Sequence, residues 1–167
     1  MRYSFLLLLA FFMLSACVSD QSTPAESSEA AEAEKVEEAT EASGDGEIVI
    51  QPIDNQMQYA NEAFTVKAGA TVTLVMDNIA TMEAMQHNVV ILSPDADLNA
   101  IGIAAIQAGP DNEYVPDDPA VLFYTPLAAA GDRVVVEFTA PEPGEYPFIC
   151  TFPGHYSLMK GVMTVVA

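Results

Sequence analysis

The sequence predicts an all-β sandwich with one short inserted helix, preceded by a disordered acidic linker. Three observations predict it. From Glu47 onward, short runs rich in β-branched and aromatic residues recur between turn signals such as Ala68-Gly69, Ser93-Pro94, Ala130-Gly131 and Pro141-Glu142-Pro143-Gly144. Period-two alternation is clear where Val134, Val136 and Phe138 interleave with Arg133 and Glu137. From Val18 to Gly46 the chain is built largely of Ala, Glu, Ser and Thr, with no aromatic residue. A chain of 167 residues is long enough for one domain with a sizeable core.

The N-terminal 1–16 read as a signal peptide. Met1-Arg2 is a short positive segment, and the apolar run from Phe5 to Leu14 is too short to cross a bilayer. Leu14-Ser15-Ala16-Cys17 resembles the bacterial lipobox. That resemblance implies cleavage before Cys17, acylation of its thiol and a firm lipid anchor on an exported protein, at the periplasmic or outer face of the envelope. Val18 after the cysteine resembles outer-membrane lipoproteins of Gram-negative cells. The competing reading is an ordinary cleaved leader in which Cys17 is incidental.

Residues 17–46 form the linker. From Val18 to Gly46 nine acidic residues face a single base, Lys35. Such a segment buries too little apolar surface to offset its ordering entropy, and its charges repel, so it is expected to be extended and disordered. It reads as a solvated tether.

The folded domain is expected over 47–167. Strands are expected at 47–52, 56–59, 64–67, 71–78, 87–92, 121–125, 132–138, 145–150 and 162–166. Between them, 97–109 has an acidic start, a glycine stop and helical spacing of Leu98, Ile101, Ala105 and Ile106, which predicts a surface helix. Residues 110–119 read as loop.

The chemistry concentrates in Cys150-Thr151-Phe152-Pro153-Gly154-His155-Tyr156-Ser157-Leu158-Met159, slung between the last two strands. It places a thiol, an imidazole and a thioether within ten residues. Soft sulfur with imidazole selects copper, and two His, one Cys and a long axial Met make the electron-transfer geometry. The chain has two histidines, so the second is His87. It has two cysteines; with Cys17 committed to lipid, Cys150 has no disulfide partner in the domain. A lone cysteine is ordinarily buried and inert, but the His and Met at fixed offsets favour a metal.

The loop CTFPGHYSLMKG, from Cys150 to Gly161, resembles the copper loop of the azurin and auracyanin branch of the cupredoxins, the type 1 blue copper proteins. Met85-Gln86-His87-Asn88-Val89-Val90 resembles the family's first-ligand strand, and the likeness runs over most of 47–167. It implies a cupredoxin-type Greek-key β-sandwich holding one type 1 copper ion. The implied ligands are His87 and His155 through ring nitrogens, Cys150 through sulfur and Met159 as a weak axial ligand. It further implies that Asn88 ties the two ligand loops together and that the Phe152 backbone N–H donates to the sulfur. Azurins have a glycine before the first His, whose carbonyl caps the copper weakly. Here Gln86 stands there, a departure from that pattern, and its carbonyl could still approach as the corresponding weak contact. Azurins also carry a disulfide, which this chain lacks. The implied function is a membrane-tethered one-electron carrier between exported redox partners, such as a c-type cytochrome or a respiratory or photosynthetic complex. Electrons would pass through the His155 edge and an apolar patch including Pro153, Leu158 and Met85.

The alternative is a copper carrier or storage lipoprotein without electron transfer. A carrier would draw on Met57, Met76, Met82, Met85 and Met163, which are more often core filler. A multicopper enzyme needs further His ligands, a binuclear purple site needs two Cys in the loop, and a Cys150–His155 nucleophile pair lacks an orienting acid. The reading is therefore not an enzyme. The formal charge is −19. From Glu47 on, fifteen acids and three bases (Lys67, Arg133, Lys160) leave −12. That argues against nucleic acid as a partner and toward a basic one, with the protein itself monomeric.

Overall fold

Residues 40–41 and 47–167 are described by the structure, a computed structural model; the signal peptide, Cys17 and most of the linker lie outside the described residues. The strands are β1 (Thr40–Glu41), β2 (Glu47–Ile50), β3 (Ala63–Lys67), β4 (Thr71–Asp77), β5 (Val90–Leu92), β6 (Val121–Tyr124), β7 (Arg133–Thr139), β8 (Gly144–Ile149) and β9 (Lys160–Val166). One helix, α1 (Leu98–Ala108), lies between β5 and β6 and is followed by a single 3-10 turn, Pro110–Asn112.

The strands form two sheets. One runs β1-β3-β9-β8-β5-β6, the other β2-β4-β7. Their inner faces share one core: Ile48, Ile50, Leu74, Met76 and Phe138 from the smaller sheet meet Phe64, Val66, Ile91, Phe148, Met163 and Val165 from the larger. The expected β-sandwich follows from the two-residue repeat, which sends alternate side chains inward. On β5 the repeat serves two layers. Ile91 enters the central core, whereas Val90 and Leu92 join Ile101 and Ile149 in a second cluster on the outer face.

That outer cluster is where α1 packs. Asp97 caps the helix by accepting from the amides of Asn99 (3.0 Å) and Ala100 (3.1 Å). Gly109 ends it at φ 73°, donating to Ala105 O. Ile101 and Ala105 are buried as the spacing predicts, but Ile106 is exposed. Gly102 has a specific role: a Cβ there would land inside the ring of Tyr156. The bare backbone lets that ring lie on the helix, and the Tyr156 hydroxyl donates to Asn99 Oδ1 at 3.1 Å.

Three expectations need correction. Residues 56–59 are not a strand. Asp54 turns at φ 51°, the amide of Ile53 donates to Gln58 O, and Tyr59 makes only an isolated bridge with Pro52. The strand expected from His87 begins at Val90, because His87 leaves the β5–β8 ladder to pair with Ala128. β1 lies in the stretch that composition reads as linker: Thr40 and Glu41 pair parallel with Phe64 and Thr65.

Candidate metal centre

The β8–β9 hairpin carries the C-terminal part of the site. Cys150 follows β8, and its amide donates to Met159 O at 3.0 Å, closing the loop at its base. Inside the loop, the amide of His155 donates to Phe152 O, and those of Leu158 and Met159 both donate to His155 O. Gly154 takes φ 88°, a left-handed turn that a side chain would strain. These turns swing the His155 ring back over the cysteine. The Phe152 ring lies edge-on to it at 4.9 Å between centroids, and Tyr114 meets Phe152 at 5.3 Å.

His87 arrives from the other side. Its amide donates to Ala128 O at 3.1 Å and its carbonyl accepts from Ala128 N at 2.8 Å. Buried Asn78 fixes the approach: its Nδ2 donates to Met85 O at 2.8 Å and to Ala128 O at 3.0 Å.

Cys150 Sγ lies 3.9 Å from His87 Nδ1 and 3.5 Å from His155 Nδ1. The ligand atoms of these three residues all lie within 4.8 Å of one another, and all three residues are buried. Bonds of about 2.0–2.1 Å to nitrogen and about 2.3 Å to sulfur, meeting at about 110–120°, set such donors about 3.6–3.8 Å apart. The observed spacing suits an ion between them. His87 Nε2 is buried with no hydrogen-bond partner among the described residues. A ring kept in the interior under that penalty is explained by what its other nitrogen does. The donor set of two imidazoles and a thiol fits copper.

Burial sets the protonation of all three groups. Burial lowers His87 to about 4, with the nearby His155 adding to the effect, and burial alone lowers His155 to about 4. Both rings are therefore neutral donors at neutral pH. Burial pushes the Cys150 thiol up to about 12, against hydrogen bonds to its sulfur from the backbone of Asn88 and Phe152.

The remaining expected residues fall as follows. Asn88 stitches the two halves: its Oδ1 accepts from the Thr151 amide at 2.8 Å and its Nδ2 donates to Thr151 Oγ1 at 2.8 Å. Met159 is fully buried in the same core cluster as Cys150. Gln86 is half-buried beside His87, and Cys17 lies outside the described residues. Leu158 is 60% exposed and shares an open cleft with Met85. Met76 and Met163 are core, as expected, whereas Met57 and Met82 are exposed.

Sequence reasoning missed Tyr59, Asn78 and Thr125. The Tyr59 hydroxyl donates to Asn88 O at 2.6 Å, and burial, with Cys150 nearby, raises its pKa well above the usual phenol. Thr125 Oγ1 accepts from the Val89 amide at 3.0 Å. A Tyr, an Asn or a Thr in an apolar stretch carries no signal of which distant carbonyl or amide it will meet.

Residues 46–166 match the family of copper-binding proteins of the plastocyanin/azurin type. Auracyanin-A of Chloroflexus aurantiacus is 36% identical over 127 residues, 74% of this chain and 77% of that protein. Azurin of Pseudomonas aeruginosa is 36% identical over 119 residues, 67% of this chain and 80% of that protein. A crystal structure of dithionite-reduced auracyanin from Roseiflexus castenholzii superposes with a TM-score of 0.68 at 38% identity, covering 75% of this chain and 100% of that one.

Proposed function

Since this chain belongs to the plastocyanin/azurin family of copper-binding proteins, we propose that it is an exported one-electron carrier, tethered to the envelope through acylated Cys17. His87, Cys150 and His155 hold the ion, and Met159 completes the set as a weak axial ligand. Bound copper supplies the one-electron couple between Cu(I) and Cu(II). The chain's own contribution is a fixed compromise geometry. The Asn88–Thr151 stitch, the Cys150–Met159 backbone bond and the His87–Ala128 bridge hold donors from two distant segments without help from metal. Donors that do not move between charge states keep reorganisation small. The amides of Asn88 and Phe152 aimed at the sulfur withdraw charge from it, and the apolar surround disfavours the higher charge of the ion.

His155 is 3% exposed and His87 is 0% exposed, which supports electron passage at the His155 edge. Leu158, Met85 and half-buried Pro153 offer the apolar surround there. Such a patch suits brief, small interfaces, and the acidic body suits a basic partner such as a c-type cytochrome or a respiratory or photosynthetic complex. Both histidines are used in one site, which favours a carrier over a copper enzyme. The runner-up is copper carriage without electron transfer. No helix among the described residues is long and apolar enough to cross a membrane.

The observation that carries this reading is the convergence of His87, Cys150 and His155 within 4.8 Å. Adding Cu(II) to the metal-free protein is expected to give an intense visible thiolate-to-copper band that cycles reversibly with reductant and oxidant. The Cys150→Ser protein is expected to keep the fold by circular dichroism and lose the band. A band that survives the substitution places the metal elsewhere. A band that forms but does not cycle favours carriage.

A further inference from the structure

Six methionines lie from Glu47 onward, and they divide sharply. Met76, Met159 and Met163 are completely buried. Met57 and Met82 are 36% and 52% exposed, and Met85 is half-buried. The accessible three sit on two loops joined by one side chain. Asn55 Oδ1 accepts from the amides of Thr81 and Met82, both at 2.9 Å, and its Nδ2 donates to Thr81 Oγ1 at 3.1 Å. The amide of Met85 donates to Met82 O at 2.8 Å, and Met85 O accepts from buried Asn78. The loops are therefore held against each other independently of any ligand.

Between them is an open cleft of about 490 Å³, lined by Met57, Met85, Leu158, Gln58 and Glu62 among others. Two methionines thus line one space together with Glu62, whose carboxylate accepts from Gln58 Nε2 at 3.0 Å, on a strongly acidic molecule. The walls also belong to the segments that carry the metal centre. Met85 precedes His87 by two residues, and Leu158 adjoins Met159. Apolar lining alone does not require sulfur, since Leu fills similar volume with less flexibility. Thioethers are soft donors that select cuprous copper over the harder ions of the medium, and an acidic surface raises the local cation concentration.

We propose that Met57 and Met85 form a landing site for Cu(I) at the mouth of this cleft, from which the ion passes to the buried donors His87, Cys150 and His155. This rests on the copper reading above only for the destination of the ion, not for the thioether site itself. The passage is ligand exchange without oxidation: Cu(I) leaves the thioethers and bonds the Cys150 sulfur, and the thiol proton goes to solvent.

Two measurements test it. The first titrates full-length Cys150→Ser protein, labelled with ¹³C at the methionine methyl groups, with Ag(I) as a stable stand-in for Cu(I). The Met57 and Met85 signals are expected to shift together and saturate, while those of Met76 and Met163 stay. Signals of Met57 and Met85 that do not move overturn the site. This arm does not depend on the blue centre forming, so it stands or falls apart from the electron-carrier reading. The second follows copper uptake from a Cu(I)–chelator complex, read as the blue band after oxidation. Met57→Leu/Met85→Leu keeps the apolar lining and removes the sulfurs. It is expected to load more slowly than the parent. Met82→Leu, outside the cleft, is expected to load at the parent rate. A double variant that loads at the parent rate, or a Met82→Leu protein slowed equally, overturns the landing role.

Discussion

His87 and His155 are held down to about 4 from an ordinary 6.5, and Cys150 is pushed up from 9.0 to about 12. Each is a statement about stability. The unfolded metal-free chain takes protons on both rings near 6.5, whereas the folded one takes them only near 4. The stabilisation is complete above 6.5 and is lost as pH falls toward 4, with a slope of about 3 kcal/mol per unit for two protons. The thiol acts in the opposite direction: the unfolded chain loses its proton above 9.0 and the folded chain does not, so stability also declines from there toward 12. Urea midpoints of the metal-free protein are expected to form a plateau between these limits, and an unchanged midpoint at pH 4.5 would overturn the burial argument. The convergence of His87, Cys150 and His155 was legible in the sequence because rare side chains at fixed offsets leave few combinations. Asn88 was legible through resemblance, but its backbone donation to the sulfur and its Tyr59 partner were not. Those are contacts between a residue and a distant peptide group, and the Tyr59 position gives no periodic clue.

At the scale of elements, α1 is tied to the metal loop by a missing side chain. A glycine in mid-helix ordinarily gains up to about 1 kcal/mol on becoming alanine. At Gly102 the added methyl would enter the Tyr156 ring, and overpacking of this kind costs about 1–3 kcal/mol. Gly102→Ala is therefore expected to destabilise the protein and to alter the visible band, because Tyr156 is bonded to His155. In a Tyr156→Ala background the same substitution is expected to become neutral or stabilising. Urea titrations of the four proteins decide it; equal effects in both backgrounds would mean that the ring and the helix are uncoupled. The helix ends were legible from Asp97 and Gly109, since a cap and a left-handed stop are local chemistry. Most strands were legible from alternation. The stretch 56–59 failed because its composition suits a strand while Asp54 and the Asn55 clamp turn it into a loop.

The whole molecule is a sandwich with a charge of −12 over 47–167, and Arg133–Glu47 is an ion pair among its described residues. Self-repulsion should then outweigh attraction, and salt should relieve it. Raising ionic strength to about 1 M, where the screening length is about 3 Å, is expected to raise the urea midpoint while slowing electron exchange with a basic cytochrome. A midpoint that falls with salt would show that attractive pairs dominate. Sheet order was not legible, because the pairing of β3 with β9 and β2 with β4 depends on partners far along the chain. Distant stretches also meet at the candidate metal centre, where His87 and Cys150 are 63 positions apart. An ion gripping both acts as a removable staple across a long loop. The loaded chain cannot unravel at that end without first surrendering its metal, so chelators should set how quickly it comes apart.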